Sequence, residues 1–145
     1  MKRILFMCVA NACRSQMAEG FARALNLSDM EIYSAGSRPA TQVHPMSVAV
    51  MWELGIDISR AQPKGVADLP STVFDLAVSL CGDLCPTARA RARRSWHVPD
   101  PQCVSLMEFR HIRDQIRRHV ETLLREFAAL PEPAPAPINI HRKQG

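Results

Sequence analysis

Short apolar runs alternate with longer amphipathic stretches along most of this chain, and this alternation limits the possible folds more than any other feature. Each short run predicts a strand, and each longer stretch, with apolar residues every three or four positions, predicts a helix. The predicted strands cover residues 2–8, 31–35, 76–80 and 95–98, and the predicted helices cover residues 14–25, 45–54 and 106–127. Such an alternation indicates an α/β fold, in which helices cover both faces of a parallel sheet.

The end of the chain has a different composition. After Leu130 the sequence reads PEPAPAPINIHRKQG, and alternating proline and alanine favour neither a helix nor a sheet strand. A length of 145 residues suits one domain with one core. We therefore predict a single domain over residues 1–130 and an extended tail over residues 131–145.

Charge and hydropathy exclude several classes of function. Lysine and arginine outnumber aspartate and glutamate by 18 to 14, but no aromatic residues are interleaved with the arginines, so we expect no nucleic-acid binding. The apolar start is too short for a signal peptide and no apolar run has the length of a membrane span, so we predict a cytoplasmic monomer that binds no membrane. In that compartment cysteines are more often catalytic, redox-active or metal-binding than structural disulfides. The chain has five: Cys8, Cys13, Cys81, Cys85 and Cys103.

The segment CVANACRS, residues 8–15, connects the first predicted strand to the first predicted helix. In an α/β fold this is a ligand-binding position, because it lies at the carboxyl end of a strand and at the start of a helix. Arg14 and the backbone N–H groups of the loop can bind the oxygens of a tetrahedral anion. The same donors stabilise Cys8 as a thiolate nucleophile. Ser15 can donate a hydrogen bond to the Cys8 sulfur, and Asn11 suits a left-handed turn. The predicted oxyanion-binding residues are Val9, Ala10, Asn11, Ala12, Cys13 and Arg14.

Several segments resemble the low-molecular-weight protein tyrosine phosphatases, a superfamily that includes the thioredoxin-coupled arsenate reductases. They are CVANACRSQMAEG from residue 8, YSAG from 33, ELGIDIS from 53, LAVSLCGD from 76, SWHVPDP from 95 and FRHIRDQI from 109. The resemblance implies a four-stranded parallel sheet with helices on both faces. One position departs from it, because Ala10 stands where the family usually has glycine; this predicts a changed loop geometry rather than a lost function.

Asp100 lies between two prolines in the segment VPDP. Taken alone, an Asp-Pro pair marks a turn as readily as an active-site acid. The resemblance implies that Asp100 is the general acid, which protonates the leaving oxygen while Cys8 attacks the anion.

The cysteines decide between two chemistries. Hydrolysis of a phosphoester needs only the loop and the acid, whereas reduction of arsenate needs at least one further thiol. Cys81 follows the third predicted strand and Cys85 comes four residues later. A relay is therefore available, in which Cys8 attacks arsenate, Cys81 attacks Cys8 and releases arsenite, and Cys85 attacks Cys81. Similar reductases have more residues between the two resolving cysteines, so the order of exchange stays open, and Cys13 or Cys103 could take part.

The phosphatases of this superfamily usually have aromatic residues after the Asp-Pro pair, where this chain has Gln102 and Cys103. We therefore predict an arsenate reductase, with arsenate as substrate, thioredoxin or another thiol as reductant, and no cofactor. The alternative is a low-molecular-weight phosphatase that acts on phosphotyrosine or small phosphoesters. A third possibility is an anion-binding protein without turnover.

Two metal hypotheses concern the same region. Zinc has permitted ligand types in Cys81, Cys85, His97 and Cys103, but the resemblance to the reductases explains Cys81 better, and we predict no bound metal. Some similar reductases bind potassium beside the loop, and three ligand positions match Asn11, Glu19 and Ser34. Lys64 stands at the place of a further carboxylate, so we expect its ammonium group to replace the cation and turnover to be independent of potassium.

Overall fold

The computed structural model of the chain describes residues 1–70, 73–82, 88–101 and 104–127. Four predictions fall outside these residues, namely those for Cys85, Gln102, Cys103 and the tail 131–145. The strands are β1 (Lys2–Cys8), β2 (Met30–Gly36), β3 (Phe74–Ser79) and β4 (Ala90–Ser95). The helices are α1 (Arg14–Ala24), α2 (Pro45–Trp52) and α3 (Leu106–Glu126), with a short 3-10 helix at Val66–Asp68.

The four strands form one parallel sheet in the order β2-β1-β3-β4. The predicted sheet is thus confirmed, and three of its four strands lie where the apolar runs predict them. The chain builds to one side of β1 through β2 and then to the other side through β3. Between β1 and β3 the direction of winding reverses, and in such sheets the ligand crevice lies at the carboxyl ends of those two strands.

The fourth strand is not where the sequence pattern predicts it. The strand covers Ala90–Ser95 instead of residues 95–98, because pairing with β3, from Phe74 opposite Ala90 to Ser79 opposite Ser95, sets its position. Its sequence, ARARRS, has no apolar run to find, and nearly all of it is exposed. Charged residues on an outer strand are a common protection against pairing with other chains, so these arginines fit an edge position.

The core consists of two clusters on opposite faces of the sheet, because successive residues of a strand point to opposite sides. Ile4 and Phe6 belong to the larger cluster, which includes residues from all three α-helices. Leu5 and Met7 belong to the smaller cluster, against which Val66 of the 3-10 helix packs. Helical segments therefore lie on both faces, although the three α-helices share one.

Local signals fix the helix starts. Pro45 begins α2, and the His44 Nδ1 atom accepts a hydrogen bond from the Met46 amide. Ser105 caps α3 by accepting a bond of 3.1 Å from the Glu108 amide. Within the described residues, α3 is the longest helix, and no helix combines the length and hydropathy that a membrane span requires.

Candidate active site

The loop after β1 is held against the end of β2. Gly36, the last residue of β2, lies so close that an added Cβ atom would be 2.5 Å from the Val9 carbonyl oxygen and 2.9 Å from the Asn11 nitrogen. Only glycine allows this approach. The motif YSAG therefore has a packing role, because its glycine supports the loop from below.

The loop carbonyls point outward, toward residues 38–44. The carbonyl oxygens of Val9, Ala10 and Ala12 accept hydrogen bonds of 2.8–3.0 Å from the backbone amides of that segment. In a trans peptide the N–H points opposite to the C=O, so the following amides face the other way, into the loop. Inward-facing amides at a helix start form a site for an anion.

Cys8 and Ser15 are joined inside this loop. The Cys8 Sγ atom lies 2.9 Å from Ser15 Oγ, and the two residues are 5% and 0% exposed. Asn11 Nδ2 donates to Ser15 Oγ at 2.7 Å, so that oxygen already accepts a hydrogen bond. Either Cys8 or Ser15 can donate in their contact; toward a Cys8 thiolate the Ser15 hydroxyl is the donor, and its proton then stabilises the negative charge.

Asn11 organises the loop from its centre. Its φ of 51° is left-handed, and its side chain is fully buried. The Asn11 Oδ1 atom accepts hydrogen bonds of 3.0 Å from Gln16 Nε2 and from the Lys64 amide. Two N–H donors at Oδ1 fix the orientation of the amide, so Nδ2 must face the serines.

Lys64 places its ammonium group beside the same network. The Lys64 Nζ atom lies 3.7 Å from Glu19 Oε1 and 3.4 Å from Ser34 Oγ. Ser34 also donates a hydrogen bond to Glu19 and accepts one from Asn11 Nδ2 at 3.0 Å. Two of the residues matched to potassium ligands, Glu19 and Ser34, thus lie beside a charge that the chain itself supplies, and the third, Asn11, bonds to the Lys64 backbone amide.

Arg14 connects the loop to the segment after β4. Its NH1 group donates to the Val98 carbonyl at 3.0 Å, and its side chain is only 11% exposed. Its NH2 group lies 4.0 Å from Asp100 Oδ2, whose side chain is 58% exposed. Arg14 is therefore fixed in orientation, while the Asp100 carboxylate stands at the solvent side of the site.

These elements surround a pocket of about 90 Å³, lined by Cys8, Val9, Ala10, Cys13, Arg14 and Asp100. It contains the sulfur, the guanidinium and the carboxylate together, which is the arrangement the sequence predicts for attack on a small anion. A larger cavity, of about 490 Å³, lies between α1 and residues 55–61 and is lined by none of these three groups. Chemistry, not size, identifies the smaller pocket as the candidate site.

Cys13 lies in the loop but in a different environment from Cys8. Burial raises the pKa of the Cys13 thiol to about 11, and the Ser47 hydroxyl of α2 partly offsets the shift. That contact is weak, because Ser47 Oγ has no hydrogen bond of ordinary geometry within the described residues. Cys13 is therefore an uncharged thiol at neutral pH.

Cys81 lies at the same edge of the sheet as Cys8. The Leu80 amide donates to the Met7 carbonyl at 2.8 Å, and since Met7 is paired with Ser79, Cys81 lies one residue beyond the position opposite Cys8. Cys81 is half-buried, and its Sγ atom lies 3.8 Å from Ser79 Oγ. Cys8, Cys13 and Cys81 are thiols and form no disulfide. Cys85, the other predicted relay residue, lies outside the described residues.

Some residues of the site are not found by reasoning from the sequence. Gln16 is 1% exposed and bonds to Asn11 and to the Gln62 carbonyl at 3.2 Å, yet a polar residue in the first turn of a helix usually faces solvent. The role of the Val98 carbonyl depends on backbone geometry, for which the sequence carries no signal.

Among the described residues, no group of three His, Cys, Asp or Glu side chains has the geometry of a metal site.

Known proteins match this chain over most of its length. A glutaredoxin arsenate reductase from Synechocystis is 36% identical over 132 residues, which cover 88% of this chain and all of that protein. A solved arsenate reductase in a phosphate-binding state has a TM-score of 0.79 at 36% identity, covering 88% of this chain and all of that one. A thioredoxin-dependent arsenate reductase from Corynebacterium glutamicum has a TM-score of 0.70 at 30% identity, covering 87% of this chain and 61% of that one.

A family model confirms the resemblance drawn from the motifs. The model for low molecular weight phosphotyrosine protein phosphatases matches residues 3–132, which include the loop, the acid and all of the four strands except Lys2. Fold, motifs and relatives agree, and this chain belongs to the low-molecular-weight phosphotyrosine protein phosphatase family.

Proposed function

We propose that this chain is an arsenate reductase that transfers two electrons from cysteine thiols to arsenate. The observation that carries the proposal is a second thiol, Cys81, at the same carboxyl edge of the sheet as Cys8. Hydrolysis does not need that thiol, whereas reduction does. The names of the relatives from Synechocystis and Corynebacterium glutamicum support the same chemistry.

In the first step, arsenate binds to the inward-facing amides of the loop and to Arg14. The Cys8 thiolate attacks arsenic and forms a sulfur–arsenic bond. One arsenic–oxygen bond breaks, and Asp100 protonates the leaving oxygen, which departs as water. A positioned general acid of this kind typically accelerates the step about 100- to 10,000-fold.

In the second step, the Cys81 thiolate attacks the Cys8 sulfur. A Cys8–Cys81 disulfide forms, the sulfur–arsenic bond breaks, and its electron pair stays on arsenic, which leaves as arsenite. Two thiols are thereby oxidised, and As(V) is reduced to As(III). Attack of Cys85 on Cys81 then regenerates Cys8 and leaves a Cys81–Cys85 disulfide for an external thiol to reduce.

Several further features belong to this proposal. The enzyme is a cytoplasmic monomer with one domain over residues 1–130 and an extended tail over residues 131–145. Its reductant is a thiol carrier of the thioredoxin or glutaredoxin type, and the relatives include a protein named for each. A reducing compartment provides such carriers and keeps the three relay cysteines, Cys8, Cys81 and Cys85, reduced in the resting enzyme.

The test compares two activities of the same protein. Arsenate turnover is measured with thioredoxin, thioredoxin reductase and NADPH, and in parallel with glutaredoxin and glutathione; hydrolysis of p-nitrophenyl phosphate is the second activity. Cys8→Ser should lose both. Cys81→Ser and Cys85→Ser should lose arsenate turnover and keep any hydrolysis. Wild-type arsenate turnover in Cys81→Ser would overturn the proposed relay.

A phosphatase is the second candidate, favoured by the presence of Cys8, Arg14 and Asp100 around one pocket and by the family to which the chain belongs. Those three groups are sufficient for a cysteinyl-phosphate intermediate. The phosphatase becomes the better assignment if p-nitrophenyl phosphate is hydrolysed efficiently and arsenate is not reduced with either carrier.

A further inference from the structure

His97 faces Cys81 across a single backbone pairing. The parallel pairing of β3 and β4 ends with Ser79 opposite Ser95. The segments that follow these two strands form one isolated antiparallel bridge, between Cys81 and His97. Directly opposed residues of an antiparallel pair project to the same face, with Cβ atoms ~4.5–5.5 Å apart. The two side chains therefore start from neighbouring positions on one face.

Gly82 confirms the position of the imidazole ring. A Cβ atom added to Gly82 would lie 3.8 Å from both Cε1 and Nδ1 of His97, so the nitrogen-bearing edge of the ring covers the residue that follows Cys81. Gly82 also has a left-handed φ of 88°, which turns the chain just after the thiol. The ring thus lies over this turn, beside the sulfur-bearing residue.

The His97 backbone is held in place by its neighbours. The Trp96 amide donates to the Ser79 carbonyl at 2.8 Å, and the Trp96 ring stacks on His119 of α3 at 4.9 Å between ring centroids. On the other side, the Val98 carbonyl accepts the bond from Arg14. His97 itself is exposed, so its ring can exchange protons with solvent.

From this juxtaposition we propose that His97 accepts the proton of the Cys81 thiol when Cys81 attacks Cys8. The inference rests on the proposed relay and assigns its second step a base. The proton moves from Cys81 Sγ to the neutral imidazole, the thiolate forms the disulfide with Cys8, and the electron pair of the sulfur–arsenic bond stays on arsenic. The imidazolium returns its proton to solvent.

The expected effect follows from the chemistry of thiols. An ordinary cysteine is only a few per cent thiolate at pH 7, and the thiolate is the attacking species. A neighbouring imidazole can therefore raise the reactive fraction by about 10- to 30-fold at most. Histidine is suited to this because it exchanges its proton near neutral pH.

Other ionisable groups lie on the elements around His97 and contribute to the pH dependence of Cys81 reactivity. They are Cys8 and Arg14 of the loop, Asp100 after His97, Arg94 of β4, and His119 and Glu126 of α3. Burial lowers the pKa of His119, which keeps that ring neutral near pH 7. Arg94 is paired with Glu126 at 3.3 Å, so these two charges offset each other.

The test measures the reactivity of Cys81 directly. The full chain carrying Cys85→Ser is treated with iodoacetamide between pH 5 and 9, and the alkylation of Cys81 is followed by peptide mass spectrometry. Adding His97→Gln should slow alkylation about tenfold at pH 7 and move its rise to higher pH. His111→Gln, which changes an exposed histidine of α3, is the matched control and should leave the profile unchanged.

Two further measurements keep the inference open to disproof. If His97→Gln folds poorly, the profile without that substitution decides: a step in the imidazole range supports the proposal, and a single rise above pH 8 overturns it. Equal alkylation profiles in His97→Gln and His111→Gln also overturn it. Failure of the relay is a separate result, because it appears as arsenate turnover retained in Cys81→Ser.

Discussion

The two thiols at the carboxyl edge of the sheet are held in opposite ways. Cys8 is 5% exposed and lies in a loop fixed by Asn11, Gly36 and several backbone bonds. Cys81 is half-buried and lies at one isolated bridge followed by a left-handed glycine. Binding and attacking an anion requires donors that are already in place, whereas a relay requires its second thiol to change partners. In the proposed mechanism, Cys8 is thus the nucleophile in a fixed loop, and Cys81 is the resolving thiol at the start of a turn.

The largest effect is expected from a substitution in the fixed loop around Cys8, at Arg14. Arg14→Lys keeps the charge but loses the planar pair of donors and the bond to the Val98 carbonyl. We expect kcat/KM for arsenate to fall about 100- to 1,000-fold, as for removal of a preorganised donor at a reacting anion. The measurement is steady-state turnover, with Arg118→Lys on the exposed side of α3 as the control. Activity within threefold of wild type would mean that the loop amides alone bind the anion.

Asn11 tests whether the loop depends on its central side chain. Asn11→Ala leaves the hydroxyls of Ser15 and Ser34 and the Gln16 amide without their common partner. Loss of buried hydrogen bonds of this kind costs about 1–3 kcal/mol each, so we expect the free energy of unfolding to fall by about 3 kcal/mol. Denaturant unfolding gives this value.

Asn26 provides a matched control for that substitution, because it is also a left-handed asparagine, with a φ of 52°, but is exposed. Asn26→Ala pays only the backbone strain of alanine in that conformation, about 1 kcal/mol. The central role of Asn11 is contradicted if both alanine variants lose the same stability.

The two regions also differ in how far the sequence predicts them. The strand, loop and helix from Lys2 to Ala24 follow from local patterns, since an apolar run, a turn-forming asparagine and a helical stripe come in succession. Strand β4 could not be found in this way, because its position depends on pairing with β3 and not on its own residues. The facing of Cys81 and His97 has the same origin, since the two residues are distant in sequence and meet only through that pairing.

Lys64 gives a smaller effect, because it acts on the loop through its neighbours. Lys64→Ala removes the ammonium group that lies 3.7 Å from Glu19 Oε1 and leaves space beside Glu19 and Ser34. We expect kcat/KM to fall a few-fold and to recover in potassium chloride but not in sodium chloride of equal ionic strength. The unsubstituted chain should show no difference between the two salts. A strong potassium activation of the unsubstituted chain would disprove the role given to Lys64.

Cys13 gives the smallest effect, a change in the free energy of unfolding that appears only at alkaline pH. It tests how this thiol differs from Cys8 within the same loop. Burial raises the pKa of its thiol from 9.0 to about 11 in the folded chain. The folded state therefore keeps a proton that the unfolded state loses, so this contribution is complete below pH 9 and is lost as pH rises through 11. At pH 10 the loss of unfolding free energy amounts to about 1 kcal/mol.

Cys13→Ala should show a flatter decline of unfolding free energy between pH 9 and 11 than the unsubstituted chain, measured by denaturant titration at each pH. Parallel declines in the two proteins would show that the Cys13 thiol loses its proton at the same pH in the folded and the unfolded chain, and that burial in the loop does not hold it neutral.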